Sequence, residues 1–316
     1  MDVSIVIVNY KTPVLLKDCI KSIIEYSHGF EFEIIVVDNH SEDESKYLIT
    51  SNFPTVKWID VGWNAGFGSA NNKGIKIAKG DYVLLLNSDT ELYENSILKT
   101  LKFYIEQSQT KKVGFLGCKI EHRDKKLQPS CNYYWSGIKE AIQAHPVWIK
   151  IFQLWLGRKK LRDINKYEKL NKNHQLTWLG VPFALIKSEI LKKTMFDEHF
   201  FMYSEDEELN CRLTKAGYNP YFFAGTGVFH IIGASSKNNL KKAKQIFCSK
   251  LLFILKSRGE LYFNIYCLVL KSGLKFDIYL NKSGISPAKN ELNWLVNEKN
   301  NIKKILKSKS QLNFLC

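Results

Sequence analysis

Short runs of consecutive apolar residues alternate with segments of helical periodicity over the first 90 positions. Ser4-Ile-Val-Ile-Val8 is rich in β-branched residues and stops at Asn9-Tyr10, which predicts a strand buried on both faces. Pro13 then opens a predicted helix with Leu15, Leu16, Ile20, Ile23 and Ile24 at helical spacing. Glu33-Ile-Ile-Val-Val37 predicts a second buried strand, ended by Asp38-Asn39, and Val56 to Val61 a third. Gly66 to Ala78 reads as a loop turning into a helix. Asp81-Tyr-Val-Leu-Leu-Leu86 predicts a fourth strand, ended by Asn87-Ser88-Asp89. Apolar strands alternating with helices imply an α/β fold: a mainly parallel central sheet with flanking helices. Ligands of such sheets bind beyond the carboxyl ends of the strands, and Asp38 and Asp89 fall at two of those ends.

The pattern loosens beyond residue 110. Val113 to Cys118 predicts a strand, residues 133 to 172 a helical insertion rich in Trp, Lys and Leu, and Leu176 to Ile186 a return to strand around Gly180-Val181-Pro182. Phe196 to Tyr203 leads into a helix starting near Ser204. Asn219 to Phe223 and Val228 to Ile232 read as two short strands, and from Ser235 onward the chain is helical and basic.

Composition excludes several classes. The 316 residues are 45% hydrophobic and 24% charged, an ordinary globular balance. The seven cysteines (Cys19, Cys118, Cys131, Cys211, Cys248, Cys267, Cys316) are odd in number and scattered, with no C-x-x-C pair. They give neither a disulfide framework nor a zinc site and fit a reducing cytoplasm. Met1-Asp2-Val3-Ser4 does not resemble a secretory signal. The most continuous apolar stretch near the C-terminus, Leu261 to Leu270, is about half the roughly 20 residues that a spanning helix needs. Net charge is +15. From Lys241 onward 15 basic and 4 acidic residues give +11, so the first 240 residues carry +4. The excess suits either a solvated lysine-rich face or an anionic surface.

Each acidic motif alone has an ordinary structural reading. Asp38-Asn39 is turn chemistry. Asn87-Ser88-Asp89-Thr90 fits a turn followed by a helix cap. Ser204-Glu205-Asp206-Glu207 fits a capping box, and Glu208 with Arg212 an i,i+4 ion pair.

Taken in order the motifs say more. Ser4 to Lys11, Val36-Val-Asp-Asn39, Asn64-Ala-Gly-Phe-Gly-Ser-Ala-Asn-Asn-Lys-Gly74, Leu85-Leu-Asn-Ser-Asp89 and Phe196-Asp-Glu…Phe201-Met-Tyr-Ser-Glu-Asp-Glu-Glu-Leu209…Arg212 resemble family-2 glycosyltransferases, in particular the bacterial rhamnosyltransferase-like branch that builds surface polysaccharides. The resemblance covers roughly residues 3 to 235.

It implies a GT-A fold and inverting transfer of a sugar from a nucleotide-diphosphate donor, dTDP-rhamnose or a UDP-sugar, to a hydroxyl of a glycan or polyprenyl-diphosphate-linked acceptor. Residues 1–235 would be the catalytic domain, with a nucleotide-binding half to about 110 and an acceptor half from about 111. Residues 236–316 would be a helical, Lys-rich extension. Asp206 would be the base, with Glu205 as the alternative, and Asp89 would bind Mg²⁺ or Mn²⁺. His230 is either a further metal ligand or structural. Asn9, Asp38, Asn64, Gly66, Asn71, Gly74 and Ser88 would contact the donor, the glycines admitting its phosphates to the N-terminus of a helix. Two positions depart from the family pattern: Asn87 is an amide where an acid is usual, and Glu208 replaces an aspartate. Lipid-linked acceptors and the basic C-terminal region, with Leu251 to Leu255 and Leu261 to Leu270, imply a peripheral enzyme on an anionic membrane at the inner cytoplasmic face.

Three other readings stand beside this one. A dinucleotide-dependent oxidoreductase would want G-x-G-x-x-G in the first strand–helix turn, which here is Asn9-Tyr-Lys-Thr-Pro13. A nucleic-acid-binding protein would explain the charge, yet the basic excess lies away from the motifs, and no nucleic-acid partner is expected. A sugar-nucleotide-binding module without catalysis would share the fold.

Overall fold

The computed structural model describes residues 1–144, 168–231, 239–280, 287–308 and 310–314. Along the chain run β1 (Val3–Asn9), α1 (Pro13–Tyr26), β2 (Phe32–Asp38), α2 (Ser45–Asn52), β3 (Lys57–Asp60), α3 (Phe67–Ile77), β4 (Tyr82–Asn87), β5 (Thr90–Glu91), α4 (Ser96–Ser108) and β6 (Val113–Glu121). There follow β7 (Cys131–Asn132), α5 (Ile138–Ala144), a 3₁₀ turn (Glu168–Asn171), β8 (His174–Gln175), β9 (Trp178–Leu179), β10 (Phe183–Lys187), α6 (Ser188–Thr194), α7 (Glu205–Lys215) and β11 (Asn219–His230). The last helices are α8 (Asn239–Arg258), α9 (Glu260–Leu280) and α10 (Pro287–Ile305). Of the expected helical insertion, α5 and the 3₁₀ turn are seen; residues 145–167 lie outside the described residues.

Two compact units account for the chain: Met1–Tyr134 with Lys166–Phe201 and Asp206–Lys237, and Trp135–Asn165 with Met202–Glu205 and Asn238–Cys316. In the first, nine strands form one sheet in the order β3-β2-β1-β4-β10-β6-β11-β5, with β8 also on β11. β3, β2, β1 and β4 are mutually parallel, β10 runs against β4 and β6, and β11 is parallel to β6.

Strand alternation covers both faces. Ile5, Ile7, Ile34, Val36, Leu84 and Leu86 join one core with Leu16, Ile20 and Ile23 of α1 and Ile97, Leu101 and Tyr104 of α4. Val6, Ile35, Val37, Val83 and Leu85 join the other with Ala70 and Ile75 of α3, Leu191 of α6 and Leu209 and Leu213 of α7. Each such aliphatic side chain contributes about 1.5–3 kcal/mol by leaving water. This explains why the strands read as unbroken apolar runs.

Register then places the strand ends. Asn9 pairs with Asp38, Val8 with Asn87 and Asp38 with Asp60, so the carboxyl ends of four parallel strands finish level. β11 reaches the same rim, where His230 pairs with Thr90 of β5.

Two expectations need correction. The segments read as separate strands around residues 219–223 and 228–232 are one strand to His230, and the break between Phe223 and Gly227 is a register shift. The Gly225-Thr226-Gly227 sequence mimics a turn but is absorbed as a bulge. Asn87 to Thr90 does not cap a helix. It turns into β5, and α4 is capped instead by Asn95, whose Oδ1 accepts from the Leu98 amide.

In the second unit, α8, α9, α10 and α5 pack on one another. Leu251 to Leu255 are all buried, with Phe263, Tyr266, Cys267, Leu274, Leu295 and Ile302. The buried Gln245 side chain donates to the Leu312 carbonyl (2.8 Å) and accepts from the Phe314 amide (2.7 Å), holding the C-terminal segment. The run Leu251 to Leu255, expected to help bind a membrane, is therefore core. By contrast α9 exposes Leu261 (77%), Ile265 (45%), Leu268 (68%) and Tyr279 (67%), beside exposed Lys271 and Lys275. Among the described residues no helix is long and apolar enough to cross a membrane.

Candidate active site

Polar residues collect where the apolar strands stop. At the end of β2, Asp38 Oδ1 accepts from Asn9 Nδ2 (2.8 Å) and Ser41 Oγ (2.6 Å), and Oδ2 from the Ser41 amide (3.0 Å). Asn9 Oδ1 accepts from Thr12 Oγ1, which lies 3.0 Å from Ser88 Oγ. Three expected donor-binding residues, Asn9, Asp38 and Ser88, thus belong to one network spanning the ends of β1, β2 and β4. Thr12 and Ser41, which sequence reasoning passed over, complete it.

The loop before α3 is tied into the protein. Asn64 Oδ1 accepts from Asn39 Nδ2 (2.8 Å) and the Gly66 amide (3.2 Å), Asn39 Oδ1 takes the Ala65 amide (2.8 Å), and the Phe67 amide goes to the Phe201 carbonyl (2.8 Å). Three amides leading into the helix are therefore occupied within the protein. Gly66 has φ +81° and a Cβ there would sit 2.2 Å from the Phe201 carbonyl oxygen. Its missing side chain admits protein backbone. Gly74 is likewise a packing glycine, since a Cβ would meet Val6 Cγ1 at 2.5 Å. Asn71 is buried and donates to the Phe67 carbonyl (3.0 Å). These contacts give Gly66, Asn71 and Gly74 a packing role, and their contact with a donor stays an expectation. These residues seat α3 on the sheet and on the segment ending at Phe201.

The expected metal residues do come together. His230 Nε2 lies 3.1 Å from Asp89 Oδ1 and 3.3 Å from Asn87 Nδ2, and the Ile231 amide donates to the Asp89 carbonyl (2.9 Å). Asn87 Oδ1 is buried without a hydrogen-bond partner. One carboxylate and one imidazole form a small donor set, with the Asn87 amide nitrogen turned toward the imidazole, and Mg²⁺ sites commonly need only one or two carboxylates beside substrate phosphates. Among the described residues no cluster of three His, Cys, Asp or Glu side chains exists that could hold a metal without such help.

Asp206 stands in the first turn of α7. Burial pushes its carboxyl up to about 6, against the opposing pull of the Glu207 amide, which donates to Asp206 Oδ1 at 2.8 Å. That same amide is the one a capping box would give to Ser204, and Ser204 has φ +62°, unlike the extended conformation of most N-caps. The capping-box reading of Ser204 and Glu207 therefore gives way to a carboxylate capping its neighbour. Glu205, the alternative base, is buried.

Other side chains of α7 hold it in place. Asn210 bonds both the amide (3.3 Å) and carbonyl (3.0 Å) of Leu179. Glu208 pairs with Arg212 as expected (2.8 Å), and Arg212 Nη2 also reaches the Met195 carbonyl (2.7 Å). A glutamate in place of aspartate leaves this clamp intact.

A short segment links Asp206 to the turn that bears Asp89. A Cβ on Gly180 would lie 3.6 Å from Asp206 Oδ2. Two residues on, the Pro182 carbonyl accepts from the Asn87 amide (3.1 Å) and Thr90 Oγ1 (3.3 Å). Asp206 and the Asn87–Asp89 turn thus flank Gly180–Pro182 at the rim of the sheet. The arrangement sets a buried carboxyl at one side of a polar rim and a carboxylate–imidazole pair at the other.

A family model described as "Glycosyl transferase family 2" matches residues 4–195. The chain is 25% identical over 272 residues to the O-antigen biosynthesis protein RfbC of Myxococcus xanthus, covering 83% of this chain and 20% of that protein. It is 26% identical over 212 residues to the N-acetylglucosaminyl-diphospho-decaprenol L-rhamnosyltransferase of Mycobacterium tuberculosis, covering 62% of this chain and 66% of that one. It is 25% identical over 241 residues to rhamnosyltransferase WbbL of Escherichia coli, covering 72% and 84%. The chain thus spans a fifth of the first relative's length and just under two thirds of the second's. Among solved structures, mannosyltransferase PcManGT from Pyrobaculum calidifontis, in complex with GDP-Man and Mn²⁺, superposes with TM-score 0.56 at 13% identity, covering 96% of this chain and 84% of that one. S. aureus TarS 1-349 with UDP-GlcNAc superposes with TM-score 0.55 at 14% identity, covering 96% and 81%. At these identities the likeness is one of fold.

Proposed function

The chain belongs to glycosyl transferase family 2 and has a GT-A fold, and from that premise we propose that it is an inverting enzyme moving a sugar from a nucleotide-diphosphate donor to an acceptor hydroxyl. The observation that carries this reading is Asp206, a carboxyl raised to about 6 by burial on the rim that also bears Asp89 and His230. Such a group is ionised at neutral pH yet basic enough to take the proton of a hydroxyl as its oxygen attacks the anomeric carbon. A single displacement needs no second, nucleophilic carboxylate.

Asp89 and His230 would hold Mg²⁺ or Mn²⁺ together with the donor's phosphates. When bound, that cation would neutralise charge developing on the departing nucleoside diphosphate. Asn9, Asp38, Asn64 and Ser88 form the rim proposed to meet the nucleotide. Hydrogen bonds within the protein hold them before any donor arrives (Asn9 to Asp38, Ser88 through Thr12, Asn64 to Asn39), which lowers the ordering cost of binding.

The rhamnosyltransferase relatives favour dTDP-rhamnose as donor, and the TarS complex keeps UDP-sugars open. The decaprenol-diphosphate in one relative's name supports a polyprenyl-diphosphate-linked or glycan acceptor in surface polysaccharide synthesis. An enzyme with such an acceptor would work peripherally at the inner face of the cytoplasmic membrane. The exposed apolar residues of α9 beside Lys271 and Lys275 support an anionic lipid surface as its docking partner.

Thermal stabilisation by a panel of nucleotide sugars with Mn²⁺ tests the donor, because a ligand at 100 times its Kd adds about 2.7 kcal/mol. Transfer to lipid-linked acceptors then tests catalysis. A donor that binds but is neither transferred nor hydrolysed would make the chain a binding module and refute the enzymatic reading.

A further inference from the structure

Gln128 has no place in any motif of the sequence, yet it is buried against His230. A tight hairpin brings it there. After β6 the His122 amide donates to the Lys126 carbonyl (2.9 Å), Lys125 turns with φ +64°, and the Gln128 amide returns to the Ile120 carbonyl (2.7 Å). β6 and β11 are parallel neighbours with Glu121 opposite Phe229, so the hairpin delivers Gln128 beside the next residue, His230.

The contacts place a hydrogen on His230 Nδ1. Gln128 Nε2 lies 2.6 Å from the His230 carbonyl oxygen. A carbonyl only accepts, so the amide group facing it must be the NH₂. The other end of the amide, Oε1, therefore faces His230 Nδ1 at 3.0 Å, and since this oxygen only accepts, Nδ1 must carry a hydrogen. The second hydrogen of Nε2 points to His122 Nδ1 (3.1 Å). In neutral His230 the lone pair is left on Nε2, which lies 3.3 Å from Asn87 Nδ2 and faces Asp89 Oδ1 at 3.1 Å. A proton or a metal cation between Nε2 and Oδ1 would satisfy both, and a metal does so with the imidazole neutral.

We propose that Gln128 is the positioning residue of this site, locking His230 as the Nδ1–H tautomer so that Nε2 and Asp89 present paired lone pairs to a divalent cation. The cation part rests on the reading of Asp89 and His230 given above; the tautomer part does not. Outer-shell partners of a ligating histidine fix its tautomer and ring orientation, and losing one typically costs 10- to 100-fold in metal affinity.

The test uses the full chain labelled with [¹⁵N]histidine at pH 8, where long-range ¹H–¹⁵N spectra distinguish tautomers and His230→Ala assigns the signal. Wild type should show His230 as Nδ1–H. Gln128→Met, nearly isosteric and unable to make either bond, should release it toward Nε2–H. Gln128→Asn, one methylene shorter, serves if the Met variant does not fold. Gln128→Glu keeps an oxygen opposite Nδ1 and should hold the wild-type tautomer. In parallel, Mn²⁺ alone is titrated and free Mn²⁺ read by electron paramagnetic resonance, with a 10- to 100-fold weaker affinity expected for Gln128→Met. An unchanged His230 tautomer in the Met and Asn variants overturns the positioning role. A switched tautomer with Mn²⁺ affinity equal in wild type, Gln128→Met and His230→Ala upholds that role and refutes the metal reading alone.

Discussion

Replacing Asp206 by Asn should disable the enzyme and stabilise the protein at once. The reason lies in the carboxyl's environment, since burial raises it from 3.8 to about 6. At 1.36 kcal/mol per unit, keeping this group ionised in the fold costs up to roughly 3 kcal/mol at neutral pH. The sign follows from proton binding. The folded state holds the proton more tightly than the unfolded chain, so the stabilising contribution is complete below about pH 4. It is lost as pH rises through about 6. The substituted amide stays neutral throughout, and its oxygen can still accept the Glu207 amide hydrogen. Urea unfolding at pH 4 and pH 8 should therefore show the two proteins equally stable in acid and the variant more stable, by up to about 3 kcal/mol, at pH 8. Transfer should fall by 10²- to 10⁴-fold, and the wild-type kcat/KM should decline below an acid limb near pH 6. Equal stability at both pH values, or near-normal turnover of the variant, would refute the argument and move the base to Glu205.

Asp89→Ala and EDTA should depress transfer to a similar extent, with EDTA adding little to the variant; full wild-type activity in EDTA would show that no metal is used. The full-length protein should sediment with vesicles containing anionic lipid and be partly released by high salt. Lys271→Glu with Lys275→Glu should weaken binding by about 1 kcal/mol or more per site, and indifference to vesicles at low salt would rule out membrane docking. Gly66→Ala should destabilise the fold by about 1–3 kcal/mol or more, from overpacking against Phe201 at a positive φ. An unchanged Tm would mean that the loop before α3 is free to move.

What the sequence disclosed is what depends on short-range pattern. Three apolar runs, each stopped by Asn or Asp, disclosed both parallel strands and the rim, because the strand and its polar terminus are adjacent in the chain. The meeting of Asp89 and His230, 141 positions apart, was legible only through the family's motif order. Gln128 was not legible at all. Its role depends on a hairpin and on a contact 102 positions away, and a lone glutamine carries no local signal. Glycines carry two meanings that composition does not separate. Gly66 and Gly74 suit a phosphate loop by composition, but whether a missing Cβ admits a ligand or a neighbouring backbone is settled only by packing. Leu251 to Leu255 and Leu261 to Leu270 looked equally apolar as strings, yet one is interior and the other half exposed, since hydropathy does not say which face finds a partner.

The level finish of β1, β2 and β4 restricts how this protein can diverge. Inserting or deleting one residue inside β2 would exchange the sides of Ile35 and Val36 and carry Asp38 off its partner Asn9. Two cores and the rim would be lost together, so length changes there should be absent among functional descendants. The turn from residue 42 to 44, after the Asp38–Ser41 bonds are made, bears no such constraint and can lengthen at small entropic cost. New specificities should therefore arise by substitution along the rim and by growth of its loops, while the strands beneath keep their residue count.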